Sequence, residues 1–170
     1  MPLFCDPVST TYARKLSGNA SHIHTIKPNR MEAEVLSGMG IRTGSDVALA
    51  SEKILSLGPQ RVFMSLGRDG LYYADKEGTT MLVRAQPMDR VENATGAGDS
   101  MTGALLWAFH EKMDLESTMR NAITVSVLTI RSEPTIRQDL TPALVHDCPA
   151  DFLDPVPVET LRLEETHFAG

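Results

Sequence analysis

Val91-Glu92-Asn93-Ala94-Thr95-Gly96-Ala97-Gly98-Asp99-Ser100 runs straight into the apolar stretch from Met101 to Phe109. Gly96, Ala97 and Gly98 open what the following residues mark as a helix, and the first-turn N–H groups of a helix have no partner inside it. Those amides and the helix dipole both favour negative charge, so the turn can hold a phosphate. Glycine at these positions lets the backbone come close to a ligand and permits positive φ. Asp99 stands on the same turn, where a carboxylate can take a proton from an attacking hydroxyl while the amides stabilise charge on the transferred group. On its own residues the stretch reads either as phosphoryl-transfer equipment or as a well-capped helix start.

Outward from this turn, strands and helices alternate. The apolar run within residues 2–8 ends at Asp6-Pro7 and reads as a buried strand entering a turn, followed by a short helix over residues 10–16. Residues 22–26 have strand composition, with His22 and His24 on one side, and Pro28 is acceptable just inside a helix that Gly38 ends. Thr43 or Ser45 can cap a further helix with Val47, Leu49, Ala50, Ile54 and Leu57 inward, stopped by Gly58-Pro59. Residues 61–66 and 71–74 form a hairpin around Gly67-Arg68-Asp69-Gly70, and residues 79–85 add a strand. Long helices then cover residues 97–112 and 115–131, and residues 139–170, interrupted by Pro142, Pro149, Pro155 and Pro157, read as a short helix and an acidic tail. The alternation argues for a layered α/β architecture, a largely parallel sheet with antiparallel hairpin strands.

Composition narrows the functional classes. An apolar content of 42% over 170 residues suffices for a core. The net charge of −6 with scattered basic residues argues against a nucleic-acid partner. No run approaches a membrane span and no secretory leader is visible, so the expected location is the cytoplasm. Cys5 and Cys148, far apart and without a Cys-x-x-Cys spacing, read as plain thiols. The sequence lacks a Gly-x-x-x-x-Gly-Lys-Ser/Thr loop and the protein-kinase signatures, leaving phosphate handling to the helix N-terminus.

The stretch Asn93-Ala94-Thr95-Gly96-Ala97-Gly98-Asp99 resembles the second signature of the PfkB, or ribokinase-like, family of carbohydrate and nucleoside kinases. Lys27-Pro28-Asn29-Arg30-Met31-Glu32 is similar to its Asn-x-x-Glu motif, and Ser65-Leu66-Gly67-Arg68-Asp69-Gly70 to its Thr-x-Gly-x-x-Gly nucleotide loop. Asp6-Pro7-Val8-Ser9, the run from His22 to Glu34 and the Asn-x-Thr-Gly-Ala-Gly-Asp form of the signature resemble the branch that acts on pseudouridine.

The resemblance implies a three-layer α/β/α fold, of which residues 1–138 would be the C-terminal portion. Family members are nearly twice as long, and the half not represented here carries their first glycine-rich signature, most sugar contacts and the lid strands. It further implies transfer of phosphate from ATP, with Mg2+, to a sugar or nucleoside, here the 5′ hydroxyl of pseudouridine.

Asp99 would be the general base, and Gly96, Ala97 and Gly98 would donate amides to the γ-phosphoryl group. Asn29 and Glu32, three apart on a helix, would order the water shell of magnesium. Ser65, Gly67 and Gly70 would lie beneath the nucleotide, and Asn121 near the adenine. Where the family has Asp-Thr in its cation-site segment, this chain has Asn93-Ala94, so a potassium site would rest on Asn93, Thr95 and backbone carbonyls. Alternatives are a ribose-like or adenosine-like acceptor, or a truncated, non-catalytic nucleotide-binding module. A sheet edge left by the other half would invite self-association or pairing with that half.

Overall fold

The computed structural model describes residues 2–16, 18–85, 96–132, 139–147 and 153–154. The chain divides into two compact units, passing from the first to the second between Leu82 and Val83. The first holds strands β1 (Phe4–Cys5), β2 (Thr25–Ile26), β3 (Arg61–Ser65) and β4 (Leu71–Asp75) and helices α1 (Thr10–Leu16), α2 (Arg30–Ser37) and α3 (Gly44–Ser56). Strand β5 (Thr80–Ala85) follows β4 in the sheet and runs from the first unit into the second.

Strands β1, β2 and β3 are parallel, with Phe4 opposite Thr25 and Thr25 opposite Arg61. Strand β4 turns back antiparallel on β3, closing the hairpin with Ser65 opposite Leu71. A strand covered on both faces needs consecutive apolar residues rather than alternation, and Val62, Phe63 and Met64 are all buried. Helix α3 presents Val47, Ala50, Ser51 and Ile54 inward at helical spacing, packed with Ile26, Val62 and Met64 in one core.

Both helices begin with reciprocal caps. In α2 the Glu32 amide donates to Asn29 Oδ1 at 2.9 Å, and the Asn29 amide donates to Glu32 Oε2 at 2.8 Å. In α3 the Thr43 hydroxyl and the Asp46 carboxylate exchange the equivalent bonds. Each cap satisfies two backbone donors that the helix start would otherwise leave open.

The second unit is built on α4 (Ala97–His110) and α5 (Leu115–Ile130), which pack along each other through Met101, Ala104, Leu105, Ala108, Met119, Ala122 and Ile123. Asp114 starts α5, its carboxylate accepting the Ser117 amide at 2.9 Å. The short α6 (Pro142–His146) begins with Thr141 as cap and proline in its first turn. Strand β6 (Leu153–Asp154) pairs antiparallel with β5, Arg84 opposite Asp154.

The layered α/β reading holds, with local shifts. His22 lies in a 3-10 turn over Ala20–His22, not on a strand with His24, because β2 begins only at Thr25. Pro28 precedes α2 rather than entering it, since Asn29 takes the cap. Thr43, not Ser45, caps α3, and Leu49 is 46% exposed on its outer face. The tail contributes β6, where residues 139–170 had read as a short helix and tail without strand.

Candidate active site

In the first unit the carboxyl ends of β1, β2 and β3 gather the polar residues. Ligands of open α/β sheets bind outside these ends, because the helices that follow present their N-termini there. Asn29, just past β2, and Ser65, the last residue of β3 and 36 positions on in sequence, form a parallel bridge, and the Ser65 amide donates to the Pro28 carbonyl at 3.0 Å. The Asn-x-x-Glu motif and the nucleotide loop are therefore joined through backbone.

Beyond Ser65 the chain makes a 3-10 turn over Gly67–Asp69, closed by the Leu66 amide donating to the Gly70 carbonyl at 2.9 Å. Gly70 sits at φ 103° and ψ −149°, a conformation closed to residues with a Cβ. The expected four-residue turn is thus a tight helical turn that leaves Gly67 at the exposed end, with nothing within 4 Å of where a Cβ would stand.

Glu32 lies on α2 as expected and is buried, seated on the Asn29 amide, while Asn29 itself is the cap before the helix. Burial pushes its carboxyl up from the ordinary range, and the hydrogen bonds from Asn29 pull it back. Asp6 and Lys27, 3.1 Å apart, stand close enough to act on it, the first raising and the second lowering. Sequence reasoning gave these two residues no role; an Asp and a Lys at consecutive parallel strand ends were the available signal.

In the second unit Gly96 caps α4 in the left-handed conformation, φ 83°, and, being glycine, offers the helix start no side-chain cap. The Ser100 amide bonds back to the Gly96 carbonyl at 2.8 Å, the first bond of the helix ladder among the described residues. Ala97, Gly98 and Asp99 carry the first-turn amides, which have no acceptor within the helix itself. Asp99 is exposed and borders a cavity of about 370 Å³, bounded also by Gly103, Trp107, Val125, Leu140 and Val145.

Asn121 is buried on α5, its amide donating to Met113 Sδ at 3.1 Å, which engages the group expected near adenine. Asn93 and Thr95 lie outside the described residues.

Residues 1–142 match the pfkB family carbohydrate kinase. The chain belongs to the PfkB family. It is 37% identical over 145 residues to the pseudouridine kinase of Escherichia coli K12, covering 85% of this chain and 46% of that protein. A crystal structure of a Clostridium perfringens protein assigned as a sugar kinase superposes with a TM-score of 0.80 at 39% identity, over 85% of this chain and 45% of the other. Arabidopsis thaliana ribokinase, solved with ribose and ATP, shares the fold with a TM-score of 0.68 at 24% identity, over 79% of this chain and 43% of the other. The chain spans about half the length of the relatives it matches.

As a PfkB chain it would use ATP and magnesium, and the donors present fit both. Magnesium keeps most of its waters and takes one or two carboxylates beside substrate phosphates; Glu32 and Asn29 are a set of that kind, buried at Glu32 and with Oε2 and Oδ1 each accepting the other residue's amide. A helix start opened by Gly96 in the left-handed conformation fits a phosphate.

Proposed function

We propose that this chain supplies the nucleotide- and phosphoryl-handling part of an ATP-dependent kinase that phosphorylates pseudouridine at its 5′ hydroxyl. The observation that carries the reading is the start of α4, where exposed Asp99 shares a turn with first-turn amides that its glycine cap leaves without a side-chain acceptor. The substrate rests on the 37% identity to a pseudouridine kinase.

In this mechanism the Asp99 carboxylate accepts the proton of the 5′ hydroxyl as its oxygen bonds to the γ-phosphorus. The bond from that phosphorus to the bridging oxygen breaks, and ADP leaves. Amides of Gly96, Ala97 and Gly98 stabilise the equatorial oxygens while charge shifts, which is most of what catalysis of phosphoryl transfer requires. Magnesium would supply further charge neutralisation at the phosphates, with Glu32 and Asn29 holding its waters. Ser65, Gly67 and Gly70 would pass beneath the nucleotide, Asn121 would stand near its base, and Asn93 and Thr95 would serve a potassium ion.

Among the described residues no helix is long and apolar enough to cross a membrane, and the reading places the enzyme in the cytoplasm, acting on a small molecule. Partnership with the other half of the fold, or self-association at the β1 edge, belongs to the same proposal. A second reading, a nucleotide-binding module without turnover, draws on the chain spanning 46% of its relative.

The test is ADP release by the purified chain with Mg-ATP and pseudouridine, with uridine and ribose as comparison acceptors and Asp99→Asn as control. Turnover favouring pseudouridine and reduced about 10²- to 10⁴-fold in the variant, the usual weight of a general base, is the expected result. Calorimetric ATP binding without turnover supports the module, and absence of both refutes the nucleotide reading for this chain.

A further inference from the structure

The cavity beside Asp99 has no part in the mechanism above, and it lies wholly within the second unit. Asp99, Ser100, Gly103, Ala104 and Trp107 recur at helical spacing and form its α4 wall. Val125 of α5 and Leu140, Pro142 and Val145 around α6 form the others. At about 370 Å³ it has the size of a small-molecule site, and its walls are of the usual kind, mostly apolar with few polar groups.

Its two ends differ. Asp99, exposed in the first turn of α4, puts a carboxylate at one end; Trp107, two turns on and about 12 Å along the axis, puts an aromatic ring at the other. The His146 ring stands edge-on to Trp107 at 5.9 Å. Among the described residues that line the cavity none is basic. Between the ends stands Gly103. Glycine is a poor helix former, and here neither a positive φ nor crowding calls for it, since nothing lies within 4 Å of where its Cβ would stand. Its missing side chain keeps the middle of the cavity open.

Such walls disfavour a phosphate or a uracil ring, whose polar groups would go unpaired against Val125, Leu140 and Val145. They favour a hydrocarbon body, and the carboxylate favours a positive charge at one end of it. We propose that this cavity binds an elongated apolar cation, a hydrocarbon body ending in an ammonium, with the ammonium on Asp99 and the body running past Gly103 toward Trp107. This ligand is neither the nucleotide nor the phosphate acceptor. Asp99 is also the proposed base, so a bound ammonium would hold that carboxylate and inhibit transfer; the inhibition rests on the reading above, and the binding does not.

Trp107 is the single tryptophan of the chain, so its fluorescence reports the cavity directly. Phenylbutylammonium is titrated into the whole chain without nucleotide, beside phenylbutanol, a neutral probe of the same shape. The expected result is a saturable change with the ammonium and about tenfold weaker binding of the alcohol, the scale of one charge-assisted bond. Asp99→Asn should weaken the ammonium about tenfold and leave the alcohol within about twofold of wild type. Gly103→Leu, which helix propensity favours, should abolish binding of both probes by filling the cavity. Equal affinities for the two probes in the wild-type chain would overturn the proposal, as would a response that never saturates. So would a preference for the ammonium that survives Asp99→Asn, or binding undiminished in a folded Gly103→Leu chain. If Gly103→Leu does not fold, Asp99→Asn decides alone, since that side chain is exposed. A chain that binds the ammonium but not Mg-ATP keeps this site and refutes the nucleotide reading; the reverse keeps that reading and overturns this site.

Discussion

Replacing Asn29 by alanine removes Oδ1, which accepts the Glu32 amide at 2.9 Å, and leaves the reverse bond from the Asn29 amide intact. Loss of an N-cap side chain costs about 1 kcal/mol in typical helices, within a range of about 0.5–2. Glu32 is 2% exposed, so water cannot readily replace the lost acceptor, and the orphaned donor moves the cost toward the upper end, about 2 kcal/mol. In a domain of this size that is a fall of roughly 4–8 °C in melting temperature. Urea denaturation should show a lower midpoint at an unchanged slope, the signature of lost stability without a change in compactness.

Asn29→Ser is the informative companion, since a serine hydroxyl caps as well as an asparagine amide, and its stability should stay within about 0.5 kcal/mol of wild type. Titration of both variants with Mg-ATP then separates the two roles. If Asn29→Ser is stable yet binds several-fold more weakly, the amide group serves the ligand as well as the cap. Equal damage from serine and alanine, or an alanine variant as stable as wild type, would refute the capping argument.

Gly96→Ala places a Cβ on a residue at φ 83° and should cost about 1–2 kcal/mol in unfolding while weakening ATP binding measured by calorimetry; an unaltered midpoint would show that the turn adopts another conformation in solution. Glu32 carries a carboxyl raised by burial, so the native state holds its proton to higher pH than the unfolded chain does. Stability must therefore fall as pH rises from the unfolded value near ~4.3 through the raised folded one, and be flat in this group's contribution above it. Denaturation across that window should show the slope in wild type and its loss in Glu32→Gln; an identical slope in both would assign it to another group.

The fold was legible where local chemistry and tertiary demand agree. Val62-Phe63-Met64 between Gly58-Pro59 and Gly67 could only be a covered strand, and α3 announced itself through Val47, Ala50 and Ile54 with a capping pair at Thr43 and Asp46. Residues 22–26 misled because strand composition does not fix where pairing begins. Only Thr25 and Ile26 pair in register with β1 and β3, and His22 before them takes a turn instead.

At the candidate site, spacing identified Asn29 with Glu32 and the turn around Asp99 as units of chemistry. It did not show that Asn29 caps the helix rather than riding on it, because i and i+3 are neighbours in both arrangements. Nor could it show Asp6 beside Lys27: a contact across 21 positions depends on parallel strand pairing, which no local pattern records.

The bridge between Asn29 and Ser65 makes the two motifs a single cassette. Its geometry is written in backbone hydrogen bonds, so side-chain substitutions at either motif can retune what is held without moving one motif against the other. Grafting the loop after β3 from a relative of different nucleotide preference, without the β2 to α2 connection that it bonds to, would carry over the letters and lose the spacing. The smallest transferable piece runs from Lys27 to Gly70, and any exchange of specificity between members of this family should respect that boundary.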